Sequence, residues 1–600
     1  MKGIAIGLSN NSKEILKRLK KTEFVKDIYI AGSSKEDGKE NELIQVQKPR
    51  EILLKKWPEI DLIIFIGSIA ASIRIINPFL TSKDQDPGVI VIDNKCSKIV
   101  PLIGLHQSNT QNIACQIANL LGGEIIETNN SNDQSFLNLD AFGNQWGWKR
   151  SGNINDWSKL VIKQAKNEEI FCKQLSGNSL WKTSESAEII NQIDKKETEK
   201  PDSTFHVSIF ENHGTTWHPP VLWIGIGCER NTSKELIANS LNNYLESGNV
   251  SQQSSAGFAT IDMKKDEKRI LELAKEKNLP IKFFSKEDLS TIIVPNPSNV
   301  VQNEIGTPSV AEASCLLAAG EESKLLEEKR IFKNQSGAVT IAVAESKNQY
   351  NPTHGEIHII GSGPGDISFL TNNARKALSR CTVWIGYKMY LDLIKSLKRS
   401  DQVLIESKLT EEKERCSKAI KLAEEGIKVA LISSGESGFY GMAGLLLELL
   451  QKIKKEYRPY FEVHPGISSV QLAAAISGAP LMNDFCSVSL SDKLTPWSLI
   501  EKRIEGALVG DFVIALFNPQ SIERNWQLKS VIDICLQSRH GDTPVLIARQ
   551  VGRENQTKKF FTLNTIPFKE IDMLSIIIIG NSQTTLVDEI FLTPRGYLQN

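Results

Sequence analysis

The chain has 600 residues, and its 71 Lys and Arg balance 71 Asp and Glu, so it carries no formal net charge. Six hundred residues exceed what one hydrophobic core supports, which predicts three to five domains of roughly 100–200 residues. The balanced charge supplies no global field for nucleic acid or an anionic membrane, so neither is expected as a partner. In chain order, MKGIAIGLSNNSKEI has too short an apolar core for a secretory signal and reads as a first β-strand, which points to a cytoplasmic protein. The longest apolar run, LIIFIGSIAASIRIINPFL, contains Arg74 and a Gly-Ser break; it predicts a strand followed by a helix and no membrane span. Nine cysteines lie scattered without a C-x-x-C pair and read as reduced core residues, so neither a disulfide nor a metal site is predicted.

Residues 1–126 alternate short β-branched runs (GIAIGL, DIYIAG, DLIIFIG, GVIVID) with helical patterns, the rhythm of a parallel α/β sheet. Residues 127–220 are rich in Asn, Ser, Lys and Glu with weak periodicity, and read as a polar connecting region, partly mobile. A second α/β domain is expected over 221–346, opening with VLWIGIG and a helix capped near Thr232 or Ser233. The string ESKNQYNPTHGE breaks all periodicity and places a linker at 347–355. The remainder, 356–600, reads as two α/β lobes, about 356–478 and 479–600. The fold class is therefore α/β and multidomain.

The last third opens with HIIGSGPGD. A dinucleotide fingerprint needs G-x-G-x-x-G and an acidic residue about 20 positions later. Here the third glycine comes one position early and the next strand, TVWIGY, ends without an acid, so a nicotinamide site is not expected. Gly361, Gly363 and Gly365 with Pro364 instead form a rigid loop that a bulky ligand can approach without Cβ interference. SSGESGFYGMAG repeats the pattern with Ser434, Gly435, Gly438, Tyr440 and Gly441. VHPGISSVQLAAA does so again with Pro465, Gly466, Ser468 and Ser469. All three follow apolar strands, and the carboxyl ends of strands are where open α/β sheets bind ligands.

The ordered series GSGPGD, WIGYKMYLDLI, VALISSGESGFYGMAG, VHPGISSVQLAAA, SLSDKLTPW, NPQSIERNW, TPVLIARQVGRE and LTPRGY resembles the precorrin-3B C-17-methyltransferase family of cobalamin biosynthesis, over about Glu356 to Tyr597. The resemblance implies S-adenosyl-L-methionine folded in a cleft between two lobes, held by the three loops with Asn518 and Pro519, and Asp366 orienting the first loop. It implies a tetrapyrrole (precorrin) substrate whose carboxylate arms suit guanidinium partners; Arg503, Arg524, Arg549, Arg553 and Arg595 are the candidates. It also implies ring contraction coupled to methylation, for which Asp484, Asp492 and Lys493 are candidate proton donors or acceptors. A homodimer through this half is expected.

LWIGIGCERNTSKELI, GFATIDMKKDE and IGTPSVAEASCLLAAG together resemble the carboxyl-terminal domain of the cobalt-precorrin-5A hydrolase family, and DLIIFIGSIAASIRIINPFL through IACQIANLLGG its amino-terminal domain. This resemblance implies opening of a lactone with release of acetaldehyde. His106 is the candidate base for water. Arg74, Lys83 and Asp86 are candidates to hold carboxylates or an oxyanion, and Glu312 is a ligand or loop anchor. The loop GLHQSNTQN keeps the histidine but lacks the family's glycines. HGTTWHPP sets His213 and His218 five apart, but its prolines preclude a regular helix and no third ligand is placed, so no metal is assigned there. The reading is a fused two-activity enzyme. The alternatives are a methyltransferase with a non-hydrolytic, tetrapyrrole-binding first half, or a non-catalytic tetrapyrrole sensor or chaperone.

Overall fold

The computed structural model describes residues 2–22, 24–32, 45–81, 86–104, 110–126, 136–197, 201–211, 214–521 and 523–597. It divides into two compact units, Met1–Gln134 and Ser135–Asn600. In the first, seven strands run in the order Gln45–Gln47, Asp27–Ala31, Gly3–Gly7, Leu62–Ile66, Gly88–Ile92, Lys98–Ile103, Glu124–Ile125. Leu62–Ile66 and Gly88–Ile92 are buried at every position, which is why they read as unbroken apolar runs. The sheet is parallel except between Gly88–Ile92 and Lys98–Ile103, whose short connection allows only an antiparallel return.

The second unit opens on a finding that the composition conceals. The segment expected to be a polar connecting region carries, over its described residues, a five-stranded sheet ordered Ile190–Gln192, Ile170–Gln174, Thr204–Val207, Thr216–His218, Lys149–Ser151. Its core is aromatic. Trp146, Trp157, Trp181, Trp217, Phe142 and Phe205 are all buried, and the Phe142 ring lies 5.1–5.8 Å from those of Trp148, Trp181, Phe205 and Trp217. A tryptophan buries some 150–250 Å², so a few of them replace the aliphatic repeat that periodicity detects. The linker is tied down as well: Gln349 donates to the carbonyls of Trp146 and Glu425 at 2.7 and 2.8 Å and accepts from the Trp148 indole at 2.8 Å. The aromatic cluster continues into Ile357, Ile359, Val383, Val429 and Leu446 of the following lobe as one core.

The next sheet is ordered Ile281–Phe284, Ser255–Ile261, Leu222–Cys228, Gly337–Glu345, Lys324–Asn334, with the last two strands forming an antiparallel hairpin. Ser233 caps the helix Lys234–Ser247, accepting from Leu236 N–H at 3.1 Å. Beyond the linker, five parallel strands run Val403–Ser407, Val383–Tyr387, Lys428–Ser433, Glu356–Gly361, Tyr460–His464. The last lobe is ordered Phe485–Ser489, Val513–Phe517, Ser575–Ile579, Pro544–Arg549, Thr557–Thr562; only its first pair is parallel. Among the described residues no helix is long and apolar enough to cross a membrane, and the described cysteines are free.

Candidate active site

In an all-parallel sheet every carboxyl end reaches the same edge. Because Glu356–Gly361 lies between Lys428–Ser433 and Tyr460–His464, the loops following these strands meet there. Gly435 N–H donates to the Gly363 carbonyl at 2.8 Å, and Gly363 N–H returns to the Gly435 carbonyl at 3.1 Å. Both have positive φ, 75° and 64°, which favours glycine. The third loop packs backbone to backbone on this bridge. A Cβ on Gly466 would fall 2.0 Å from the Gly435 oxygen and 2.7 Å from the Gly361 carbonyl carbon; one on Gly361 would fall 2.6 Å from Gly466 N. One glycine from each loop thus meets in the cradle, and neither Gly361 nor Gly466 leaves room for a side chain. Gly441 closes the second loop, its would-be Cβ 2.3 Å from the Ser437 oxygen.

The remaining loop residues hold this cradle in shape. The Ser368 side chain and its N–H, the latter donating to the Asp366 carboxylate at 2.7 Å, hold the Asp366 pKa below the ordinary value, and Asp366 N–H donates to the Gly552 carbonyl at 2.6 Å. Gly365 abuts the same Gly552, and Arg553 Nε donates to the Pro364 carbonyl at 3.4 Å. Arg553 therefore joins the two lobes at the first loop. The Pro465 carbonyl accepts from Thr371 Oγ1 at 3.2 Å, and Ser468 N–H donates to Gln471 at the start of the helix Ser469–Ser477. Gly438 N–H donates to Glu436 at 2.7 Å, and Ser434 and Ser469 are half-buried. Tyr440, at φ 57°, donates its hydroxyl to the Ser487 carbonyl at 3.0 Å, its ring 5.3 Å from Phe517. The second loop so reaches the other lobe, where Asn518 (φ 51°) donates to Ser489 Oγ at 3.0 Å and Pro519 is buried.

The arginines divide sharply. Arg524 is buried and donates to the carbonyls of Leu490 and Asn518 at 3.1 and 3.0 Å, so it fixes two loops and does not offer a free guanidinium. Arg549 ends its strand and grips Asp572 through Nε and a terminal nitrogen at 2.9 and 2.8 Å. Arg503 is exposed on the helix Trp497–Val509. Arg595 is exposed after Ile590–Leu592, a strand paired with Gly478–Ala479 past the far end of Ser469–Ser477, a helix about 13 Å long. The acid candidates separate too. Asp492 accepts from Gln527 at 3.0 Å just beyond the carboxyl end of Phe485–Ser489, with Lys493 exposed beside it. Asp484 precedes the opposite end of that strand, about 16 Å away, so the three do not form one group.

The residues present fit an adenosyl ligand with a sulfonium centre. The Ser362 hydroxyl is buried in the first loop without a hydrogen-bond partner, a residue that the sequence reading passed over within GSGPGD. The cradle is open beside Gly435, where a Cβ would meet nothing closer than 3.8 Å. The same sheet edge continues into an open groove of about 960 Å³ lined by Tyr387, Met389 and Leu409 with both lysines, Lys388 and Lys408, and the acids Asp392, Glu406 and Glu411.

In the first half, Glu312 is buried in the helix Ala311–Ala319. One carboxylate oxygen accepts from Asn296 Nδ2 and from Lys329 N–H, both at 3.2 Å, while the other has no partner. It therefore anchors a loop. His218 is buried with its ring nitrogens 2.7 Å from Ser151 Oγ and 2.8 Å from the Ser208 carbonyl. Arg74 is exposed on Ile69–Ile76, and Asp86 accepts from Thr81 N–H and hydroxyl at 3.0 Å. His106, Lys83 and His213 lie outside the described residues.

Glycine loops at the parallel edge of one lobe, bridged to a second, mixed lobe, define a two-lobed α/β protein with a ligand cradle at the carboxyl ends of its strands. The chain belongs to the tetrapyrrole (corrin/porphyrin) methylase family, whose model matches residues 356–567. Models described as cobalamin synthesis G N-terminal and C-terminus match residues 51–132 and 222–344. The chain is 44% identical over 241 residues to a probable cobalt-factor III C(17)-methyltransferase of Salmonella typhimurium, covering 40% of this chain and 99% of that protein. It is also 44% identical over 245 residues to a cobalt-factor III methyltransferase of Priestia megaterium, but spans only 45% of that protein's length. The crystal structure of the methyltransferase CobJ is 32% identical, covering 40% of this chain and all of that one, with a TM-score of 0.39.

Proposed function

We propose that the chain is a bifunctional enzyme of corrin-ring construction. The second half methylates precorrin-3B, or its cobalt form, at C-17 with ring contraction; the first opens the cobalt-precorrin-5A lactone and releases acetaldehyde. The observation that carries the reading is the contact of Gly361, Gly435 and Gly466, a cradle at the edge where a nucleoside can lie against backbone. Support for the substrate comes from the Salmonella typhimurium relative, matched over nearly its whole length. S-adenosyl-L-methionine, when bound, supplies a sulfonium methyl already activated for transfer, so an electron-rich pyrrole carbon needs chiefly alignment. The three loops with Asn518 and Pro519 hold the donor, and Tyr440 with Phe517 closes the cleft between the lobes. Asp492 and Lys493, beyond a strand end on the second lobe, are the groups offered for proton transfer. Arg503, exposed and without a carboxylate partner of its own among the described residues, is offered to substrate carboxylates. His106 is the base for the hydrolytic half, with Arg74 in support.

The test is mass spectrometry of the purified chain given S-adenosyl-L-methionine and the trimethylated precorrin, with and without cobalt, in the presence of the next methyltransferase. Gain of one methyl with release of acetaldehyde is expected, and no methyl gain on either substrate form refutes the second-half assignment. The loop GLHQSNTQN favours a second reading, in which the first half binds the tetrapyrrole without hydrolysing it. His106→Ala separates the two, because only a hydrolytic half loses acetaldehyde release. A homodimer through the methyltransferase half and a cytoplasmic setting belong to the same proposal. Sedimentation velocity checks the dimer.

A further inference from the structure

Tyr460–His464 is the edge strand of the first methylase lobe and, among the described residues, pairs only with Glu356–Gly361. Side chains two apart on a strand share a face, so Glu462 and His464 project together. The register sets His358 directly opposite Glu462. The pleat thus gathers two imidazoles and a carboxylate from residues as far as 106 positions apart, where no spacing motif could announce them. His358 Nδ1 lies 3.0 Å from His464 Nε2, and Glu462 Oε2 lies 3.9 and 3.8 Å from these two nitrogens. All three ligand atoms fall within 4.8 Å of one another.

These separations are close to those of a coordination sphere. With metal–nitrogen bonds of about 2.0–2.1 Å at a tetrahedral centre, two ligand nitrogens stand about 3.3 Å apart. The histidine pair is a few tenths of an ångström from that value. The carboxylate needs to move about 0.5 Å relative to tetrahedral spacing, which an exposed side chain can do, and Glu462 is 47% exposed. The outer side of the pair is already built. His358 Nε2 is 2.8 Å from Glu356, which Lys428 holds at 2.6 Å and Arg380 at 3.5 Å. A carboxylate on the far nitrogen fixes the tautomer and leaves Nδ1 with its lone pair facing inward, the usual support of a metal-bound histidine. In the pair as it stands, His464 Nε2–H donates to that lone pair. Binding requires this proton to pass to His464 Nδ1 through solvent, after which both inward nitrogens are donors to a cation.

We propose that His358, His464 and Glu462 form a site for a divalent transition cation of the zinc type, with its fourth position open to solvent along the sheet edge. Its place in the fold gives it a consequence. His464 is the last residue before Pro465 and Gly466, and its carbonyl accepts from the buried Ser437 hydroxyl at 3.5 Å. A cation there stiffens the strand end that carries the third loop of the cradle.

The full-length chain, stripped with a chelator and dialysed, is titrated with Zn²⁺ in a calorimeter, and with Co²⁺ under visible absorption. One equivalent of Zn²⁺ is expected to bind. Co²⁺ is expected to develop the strong d–d bands of a four- or five-coordinate nitrogen and oxygen complex. Glu462→Ala and His464→Gln each weaken Zn²⁺ binding at least tenfold and abolish the bands. His464 is buried, and its variant can fail to fold; Glu462→Ala, at an exposed position, keeps the wild-type melting temperature without metal and carries the decision. Absence of binding to the wild-type chain, or binding and bands unchanged in Glu462→Ala, overturns the proposal.

Discussion

Substituting Gly466→Ala tests the cradle at its tightest point. The added Cβ would lie 2.0 Å from the Gly435 carbonyl oxygen and 2.7 Å from both the carbon and oxygen of the Gly361 carbonyl. An ordinary carbon–oxygen contact is about 3.3 Å, so the second and third loops must separate by about 1.3 Å. Every opposing atom is backbone, so no side chain can swing aside. Overpacking of this kind costs about 1–3 kcal/mol of stability, and a misplacement of about 1 Å at a reacting centre lowers rates about 10²-fold, equivalent to about 2.7 kcal/mol. Calorimetric binding of S-adenosyl-L-methionine and single-turnover methyl transfer read the two effects. Gly444→Ala is the matched control. Its Cβ meets nothing within 4 Å, and it stands in the helix Ala443–Gln451, where alanine adds up to about 1 kcal/mol of stability. If Gly466→Ala binds the cofactor and turns over within about threefold of wild type, the three-glycine contact is not what shapes the site.

Three further outcomes follow from other contacts. Arg524→Leu removes donors to the Leu490 and Asn518 carbonyls and is expected to cost about 3 kcal/mol, lowering the melting temperature; an unchanged melting temperature with only a raised KM for the tetrapyrrole would return Arg524 to the substrate. Trp217→Ala opens the aromatic core of residues 138–218 and is expected to cost about 3–5 kcal/mol with loss of near-ultraviolet dichroism; a native spectrum and melting temperature would contradict that core. Asp401 is subject to desolvation, which raises its pKa, but the charge and hydrogen bonds of Arg399 and a bond from Gln145 outweigh it and leave the pKa below its ordinary value. A carboxylate with a depressed folded pKa stabilises fully above its unfolded pKa and loses that contribution as pH falls. The destabilisation caused by Asp401→Asn, measured by denaturant titration, is therefore expected to be large at pH 7 and to shrink steadily below about pH 4. A gap that is constant with pH would show that the charge on Asp401 is not involved.

The parts of this molecule legible in its sequence are those set by local sterics. GSGPGD, SSGESGFYG and VHPGISS announce themselves because a strand end that must take positive φ or touch another backbone needs glycine, whatever surrounds it. The parallel sheets declare themselves through runs such as LIIFI, buried at every residue. What stayed hidden depends on partners far along the chain. Arg524 looks like any motif arginine until the Leu490 carbonyl, 34 positions back, is seen to occupy it. Asp484 and Asp492 are near in sequence and far apart in space, because a strand lies between them. The 138–218 sheet escaped because tryptophans, few and widely separated, do the work that aliphatic repeats do elsewhere. Ser362 sits inconspicuously within GSGPGD, since only burial reveals that its hydroxyl lacks a partner.

The common core of the tryptophan-rich sheet and the first methylase lobe bears on how this chain can be cut. Val383, Val429 and Leu446 face the same apolar interior as Trp181 and Trp217, so a fragment beginning at residue 356 would expose a surface that the intact chain never presents to water. Such a fragment would aggregate unless that seam were first made polar. By the same continuity, the aromatic sheet and the lobe beside it should melt in a single cooperative step, so heat that loosens one releases the other.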